Sequence, residues 1–180
     1  MSNDLNYPRS AGWRKSDHAN ARRFEEEVGE WLGHYKIGQL DATDRMDWWV
    51  PGVFIDAKEK AQPISRRWPL PPNCEAVDAF ILDELSIRRA LEKAPHAYFV
   101  MRDTPRQRTF LARVDEIIAG DHVRLNRVGS TDHKKGKWVI DLRQYRELTA
   151  PATELLPTIL GDQIALPWKQ SALLIPSGVE

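Results

Sequence analysis

The segment from Asp47 to Lys60 constrains the fold more than any other part of the chain. Trp48-Trp49-Val50 and Val53-Phe54-Ile55 are runs of aromatic and branched residues, and Pro51-Gly52 between them is turn chemistry. A β-hairpin is the predicted result, with Val50 opposite Val53, Trp49 opposite Phe54, Trp48 opposite Ile55 and Asp47 opposite Asp56. A two-residue or four-residue loop gives this pairing, whereas a three-residue loop would shift it. Side chains alternate along a strand, so Asp47, Trp49, Phe54, Asp56, Lys58 and Lys60 share one face. Trp48, Val50, Val53, Ile55 and Ala57 share the other.

Directly opposed residues carry Cβ atoms about 4.5 to 5.5 Å apart, and two carboxylates at that distance repel unless positive charge lies between them. A divalent cation would supply it, and oxygen ligands without nearby Cys or His favour a hard ion, Mg2+ with Mn2+ as a substitute. Lys58, two residues beyond Asp56 on the same face, would orient or help to deprotonate an attacking water and offset charge on a phosphate. The competing reading is a surface hairpin whose outward Asp and Lys form simple cross-strand ion pairs. Against it, the charges interrupt an apolar stretch, where unpaired charge is costly to keep near a core.

A chain of 180 residues buries one sizeable core and is short for two ordinary domains. Its 42% apolar and 29% charged content, with a mean hydropathy of -0.52, are those of a globular chain, and no apolar run reaches spanning length. Residues 1–10 lack the apolar stretch of a secretory signal, so a cytoplasmic location is expected. The single cysteine, Cys74, excludes an internal disulfide framework and a zinc site of several thiolates. The 26 basic residues balance the 26 acidic ones, so any nucleic-acid contact must use a local patch. Between Arg102 and Arg146 eleven Lys or Arg accompany six Asp or Glu; the alternative for that span is a solvated charged face.

Along the chain, an irregular segment at 1–16 precedes a helix from Asp17, read as its N-cap, to Leu32, with Gly33 as the stop. Ala21, Phe24, Val28, Trp31 and Leu32 form its apolar stripe. On that wheel Glu25 lies nearest the stripe, Glu27 at its margin, and Glu26 and Glu30 away from it. After the hairpin and a Pro-rich loop, Gln62 to Pro72, a second helix is expected from Asn73 to Lys93. Strands at 97–101 and 108–114, a short helix at 115–119 and strands at 122–128 and 137–142 complete a domain ending near residue 148. Residues 149–180 read as a short helix, 153–160, and a tail.

Met46-Asp47 followed by Val53-Phe54-Ile55-Asp56-Ala57-Lys58-Glu59-Lys60 resembles the signature of the PD-(D/E)XK, or restriction-endonuclease-like, nucleases. Met46 departs from it, standing where the family often has a proline that is not a ligand. The order helix, hairpin, helix, strand, strand over residues 19 to 114 also matches. The resemblance implies an α/β fold with a central mixed β-sheet flanked by helices. It also implies that Asp47 and Asp56 bind metal and that Lys58 serves the hydrolytic water, with Asp44 the competitor for the first acid. Members similar to Holliday-junction resolvases add a glutamate from the first helix, which points to Glu25; the alternative there is a solvated acidic turn. Gln62 resembles a position near the active site in some members. Lys60, Arg66, Arg67 and Trp68 are the candidate nucleic-acid contacts, against a loop whose Trp is packed on the core. The function so implied is metal-dependent hydrolysis of DNA in recombination, repair or defence by a phage or bacterial enzyme, working as a homodimer. The alternative is a non-catalytic nucleic-acid-binding or assembly protein that retains the fold.

Overall fold

The hairpin forms in the expected register. Strands β2 (Trp48–Val50) and β3 (Val53–Lys60) pair antiparallel with Trp48 opposite Ile55, Trp49 opposite Phe54 and Val50 opposite Val53. Gly52 turns the chain at φ +78°, a conformation that a residue without Cβ adopts without strain. The computed structural model describes the backbone of residues 11–33, 38–39, 46–50, 52–65, 68–128 and 135–173, and the side chains of 19–33, 46–48, 52–65, 68–126 and 136–162.

Strand β3 is the centre of the molecule. On one edge it carries β2 and, beyond it, β1 (Gly38–Gln39); on the other it runs parallel to β5 (Ala97–Asp103). Antiparallel β6 (Arg108–Arg113) and β9 (Arg146–Leu148) follow, giving a six-stranded mixed sheet in the order β1-β2-β3-β5-β6-β9. Helices lie against it, so the chain is an α/β fold with a central mixed sheet flanked by helices.

Helix α1 (Ala11–Leu32) covers one face. Phe24, Val28 and Leu32 are fully buried at i, i+4 and i+8, while Glu26 and Glu30 are exposed. Gly33 ends it at φ +55°, the left-handed position at which helices commonly stop. The helix begins at Ala11, a turn and a half before Asp17: apolar periodicity marks the packed part of a helix, and here the first turns precede it. Helix α4 (Pro151–Leu173) packs beside α1, with Leu155 and Ile159 fully buried among Phe24, Val28, Ile55, Tyr98 and Val100. The segment expected as a short helix and tail therefore completes this layer, and its helix runs well past 160.

The opposite face corrects the second expected helix. Asn73 takes φ +58°, residues 79–83 form strand β4 (Ala79–Asp83), and only Glu84–Glu92 is helical, as α2. Strand β4 joins β8 (Lys135–Asp141) and β7 (His122–Val128) in a separate antiparallel sheet, order β4-β8-β7. Phe80 and Leu82 point into the main core with Ile87, Phe99, Met101, Phe110 and Ile140, whereas Ala79 and Ile81 face Cys74 and Val139. Because both sides of this run are apolar, no polar position shows its period of two in the sequence. Helix α3 (Val114–Ala119) closes the core with Val114 and Ile117. Among the described residues no helix is long and apolar enough to cross a membrane.

One close approach joins helix layer to sheet. A Cβ placed on Gly29 would lie 2.4 Å from Trp48 Cζ2 and 2.7 Å from Cη2, so only glycine lets α1 rest on the indole. Gly29→Ala is therefore expected to destabilise the protein by about 1–3 kcal/mol, although alanine is the better helix former by about 1 kcal/mol. Denaturant melts of Gly29→Ala with and without Trp48→Phe check this: the smaller ring should recover part of the loss.

Candidate functional site

At the open end of the hairpin the two strands part. The Asp47 amide donates to the Ile55 carbonyl at 2.9 Å, the last backbone rung, and the chain then bends away. The Ala57 amide beyond that rung finds Asp47 Oδ2 instead, at 2.6 Å. A carboxylate thus takes the place of the strand that has departed, which holds Asp47 next to Asp56. Met46 is packed in the core beneath the sheet.

Asp56 lies on the β3 face shared with Phe54, and its side chain is wholly buried. Its Oδ1 accepts a short hydrogen bond from Lys58 Nζ, and its Oδ2 is buried with no hydrogen-bond partner among the described residues. Burial raises the Asp56 carboxyl to about 7; the Lys58 charge opposes the rise and the Asp47 carboxylate adds to it. Burial acts on Lys58 in the opposite sense, but Asp56, Asp47 and Glu25 together outweigh it and raise its pKa, so it stays an ammonium ion. A surface hairpin with simple cross-strand ion pairs does not describe this arrangement, because the central carboxylate has no access to water.

Helix α1 brings Glu25 to the same place. Trp48 Nε1 donates to the Glu25 carbonyl oxygen at 2.9 Å, so the helix turn carrying Glu25 is tied to the residue that follows Asp47. The Glu25 carboxyl is half-buried; desolvation raises its pKa first and Asp47 second, while Lys58 and Arg22 pull it down. Glu26 points to solvent, as the wheel requires. Glu27 is engaged elsewhere: Arg102 Nη1 donates to it at 2.6 Å, with the guanidinium 4.1 Å from the Phe24 ring centre and 5.5 Å from that of Trp31.

The donor set suits a hard cation. It is all oxygen, it includes a buried carboxylate atom with no partner among the described residues, and after burial the Asp47 charge adds to the raised pKa of both Asp56 and Glu25. Among the described residues, however, no three His, Cys, Asp or Glu side chains already sit at metal-ligand spacing. Asp47 and Asp56, with Glu25 from α1, are the residues that would hold an ion here.

The other candidates divide. Lys60 is 8% exposed; its Nζ donates to Val77 O and Ala79 O at 3.1 Å each and forms an ion pair with Asp103 Oδ1 at 3.1 Å, so it is enclosed where the two sheets meet. Trp68 is partly buried and packs with Ile64 and Leu70 against Cys74, Ala79 and Val139, as in the core-packed alternative. Gln62 is exposed just past β3. Arg66, Arg67 and Asp44 lie outside the described residues. The basic span from Arg102 to Arg146 is largely paired: Arg106 and Arg108 meet Asp78, Arg113 meets Asp115, Arg124 meets Glu84, Lys137 meets Asp83 and Arg143 meets Asp141. Several of its acidic partners are distant in sequence, Asp78 from Arg106 and Arg108, Glu84 from Arg124 and Asp83 from Lys137, which hid that part of the neutralisation. Sequence reasoning missed Trp48 and the Ala57 amide as parts of the site; an interior helical glycine at 29 was the available signal for the former.

No family model matches the chain, and no curated protein matches it in sequence. Among solved structures it is similar to D212, a nuclease from a fusselovirus, at 10% identity over 83% of this chain and 94% of that one, with a TM-score of 0.43.

The Asp56 shift has a measurable consequence. Its ordinary pKa is 3.8 and its native value about 7, so between those limits the native state holds a proton that the unfolded chain has released. Stability from this group is full below the lower limit and is lost as pH rises through the upper one. The metal-free protein should melt lower at about pH 8 than at about pH 5 for this reason, and Asp56→Asn should flatten that difference. Melts of both proteins in EDTA test it; parallel profiles would show that Asp56 does not titrate there.

Proposed function

We propose that this chain is a magnesium-dependent nuclease of the PD-(D/E)XK, restriction-endonuclease-like type that hydrolyses phosphodiester bonds of DNA. The observation that carries the reading is the buried Asp56 carboxylate, shared between the Lys58 ammonium and an oxygen with no partner, beside Asp47 at the parting of β2 and β3. Next to a second carboxylate, the cost of burying that oxygen is one that a cation can offset.

In this reading Asp47 and Asp56 hold the ion, and Glu25 completes its shell. A magnesium ion there would supply positive charge against the scissile phosphate and favour ionisation of water. Lys58, kept protonated by its acidic neighbours, acts as a hydrogen-bond donor that orients the attacking water and balances charge on the phosphate in the transition state. The ammonium now on Asp56 occupies a position that an ion would contest, so loading the site would free it to turn toward substrate. Cutting both strands of a duplex calls for two such sites, the reason to expect a homodimer.

Cleavage of plasmid, single-stranded and branched DNA with Mg2+, Mn2+ or EDTA is the direct test. Asp56→Ala should abolish metal-dependent cleavage in a folded protein. Lys58→Ala should lower turnover by about 10^2-fold or more while largely retaining metal affinity. Full activity of folded Asp56→Ala would end the assignment, and equal losses of affinity and rate in Lys58→Ala would make that lysine structural. Binding of DNA without cleavage in any metal would favour a non-catalytic protein of the same fold.

Glu25→Gln removes one charge at nearly constant size. It should weaken Mg2+ dependence and slow cleavage, with partial recovery at high metal concentration, while Glu26→Gln should behave as wild type. The reverse pattern would reassign the third carboxylate.

A further inference from the structure

Asp47 and Glu25 belong to different layers. Asp47 is fixed in the sheet by two hydrogen bonds along the hairpin, its amide to Ile55 O at 2.9 Å and its Oδ2 from Ala57 N at 2.6 Å. Glu25 rides on α1, whose distance from the sheet is set by packing. A site for a small cation tolerates displacements of only about 0.5 Å, so something must hold the two frames at one spacing. Apolar contacts such as Val28 on Ile55 are not directional enough to do this alone.

Trp48 spans the gap. It follows Asp47 in the chain and belongs to the sheet through its pairing with Ile55, and the residue is buried, 5% exposed. Its Nε1 donates to the Glu25 carbonyl at 2.9 Å, using the lone pair that a helical carbonyl keeps beyond its own helix bond. One turn further along α1, the glycine at 29 lets the helix backbone settle on the six-membered part of the ring. The indole is therefore held at both ends of the turn that carries Glu25, by a directional bond at one end and close packing at the other. We infer that Trp48 is a positioning residue that sets the spacing between the Glu25 carboxylate and the Asp47–Asp56 pair, and thereby the affinity of the site for a divalent cation. This rests on the nuclease reading above.

Mn2+ binding followed by electron paramagnetic resonance tests it without reference to cleavage. Trp48→Phe removes the donor and keeps an aromatic ring; replacing Trp48 with benzothienylalanine removes the donor and keeps the bicyclic shape, should the phenyl ring fold poorly. Either change should weaken Mn2+ binding by about 10-fold, the scale on which residues behind metal ligands act. The same change made in Glu25→Gln protein should weaken it little further, because the carboxylate to be positioned is gone. Equal weakening in both backgrounds, or none in wild type, overturns the role of Trp48 while leaving the site intact. If wild type and Asp56→Asn bind Mn2+ equally poorly, the nuclease reading itself fails, and the role inferred for Trp48 falls with it.

Discussion

The arrangement of the molecule depends on a carboxylate placed inside it. Asp56 sits on the central strand of a six-stranded sheet, with β2 on one side and β5 on the other, and has no exposure to water. Burying an ionised group without compensation is among the most costly steps a fold can take. Lys58 relieves part of the cost and a proton relieves more, since the carboxyl is raised into the neutral range. What remains of the cost is the buried Asp56 Oδ2, which has no hydrogen-bond partner among the described residues.

Around that carboxylate the fold uses its irregularities. The bend that ends β2 at Asp47 leaves the Ala57 amide open, and the Asp47 side chain fills the position. Two devices hold α1 to the sheet: the Trp48 indole on the turn from Glu25 to Gly29, and the Arg102 guanidinium, which lies on Phe24 and pairs with Glu27. Neighbouring glutamates on one helix thus have unlike fates. Glu25 turns toward the carboxylates, Glu26 toward solvent and Glu27 toward a structural arginine.

Positive charge is distributed in an unexpected way for a protein read as acting on DNA. Asp78 takes both Arg106 and Arg108, with Arg143 at 3.7 Å, and Lys60 is enclosed between the two sheets. Much of the basic span therefore maintains the junction of the small sheet with the large one. Near the carboxylates the positive charges that act on Glu25 are those of Lys58 and Arg22.

The hairpin and its register from Trp48 to Ile55 were legible in the sequence, because a two-residue turn and the alternation of side chains are local rules; the direct opposition of Asp47 and Asp56 is not among the strand pairs, since the Asp47 amide reaches Ile55 O and its carboxylate the Ala57 amide. The phase of α1, with Glu25 near its apolar stripe and Glu26 away, was legible for the same reason. Strand β4 was not, since Phe80 and Leu82 are buried against one neighbour and Ala79 and Ile81 against another, and an apolar run that faces two cores shows no period. Nor was the fate of the basic residues, whose partners lie up to 75 positions away, as Glu27 does from Arg102. By itself, then, the sequence determined which side chains share a face of a strand or helix. Only the tertiary structure decided which faces meet: that Lys60 is sealed between sheets, that Trp48 reaches the turn carrying Glu25, and that Asp56 is shut away from water. Burial and long-range pairing are properties of the packed layers, and no local pattern encodes them.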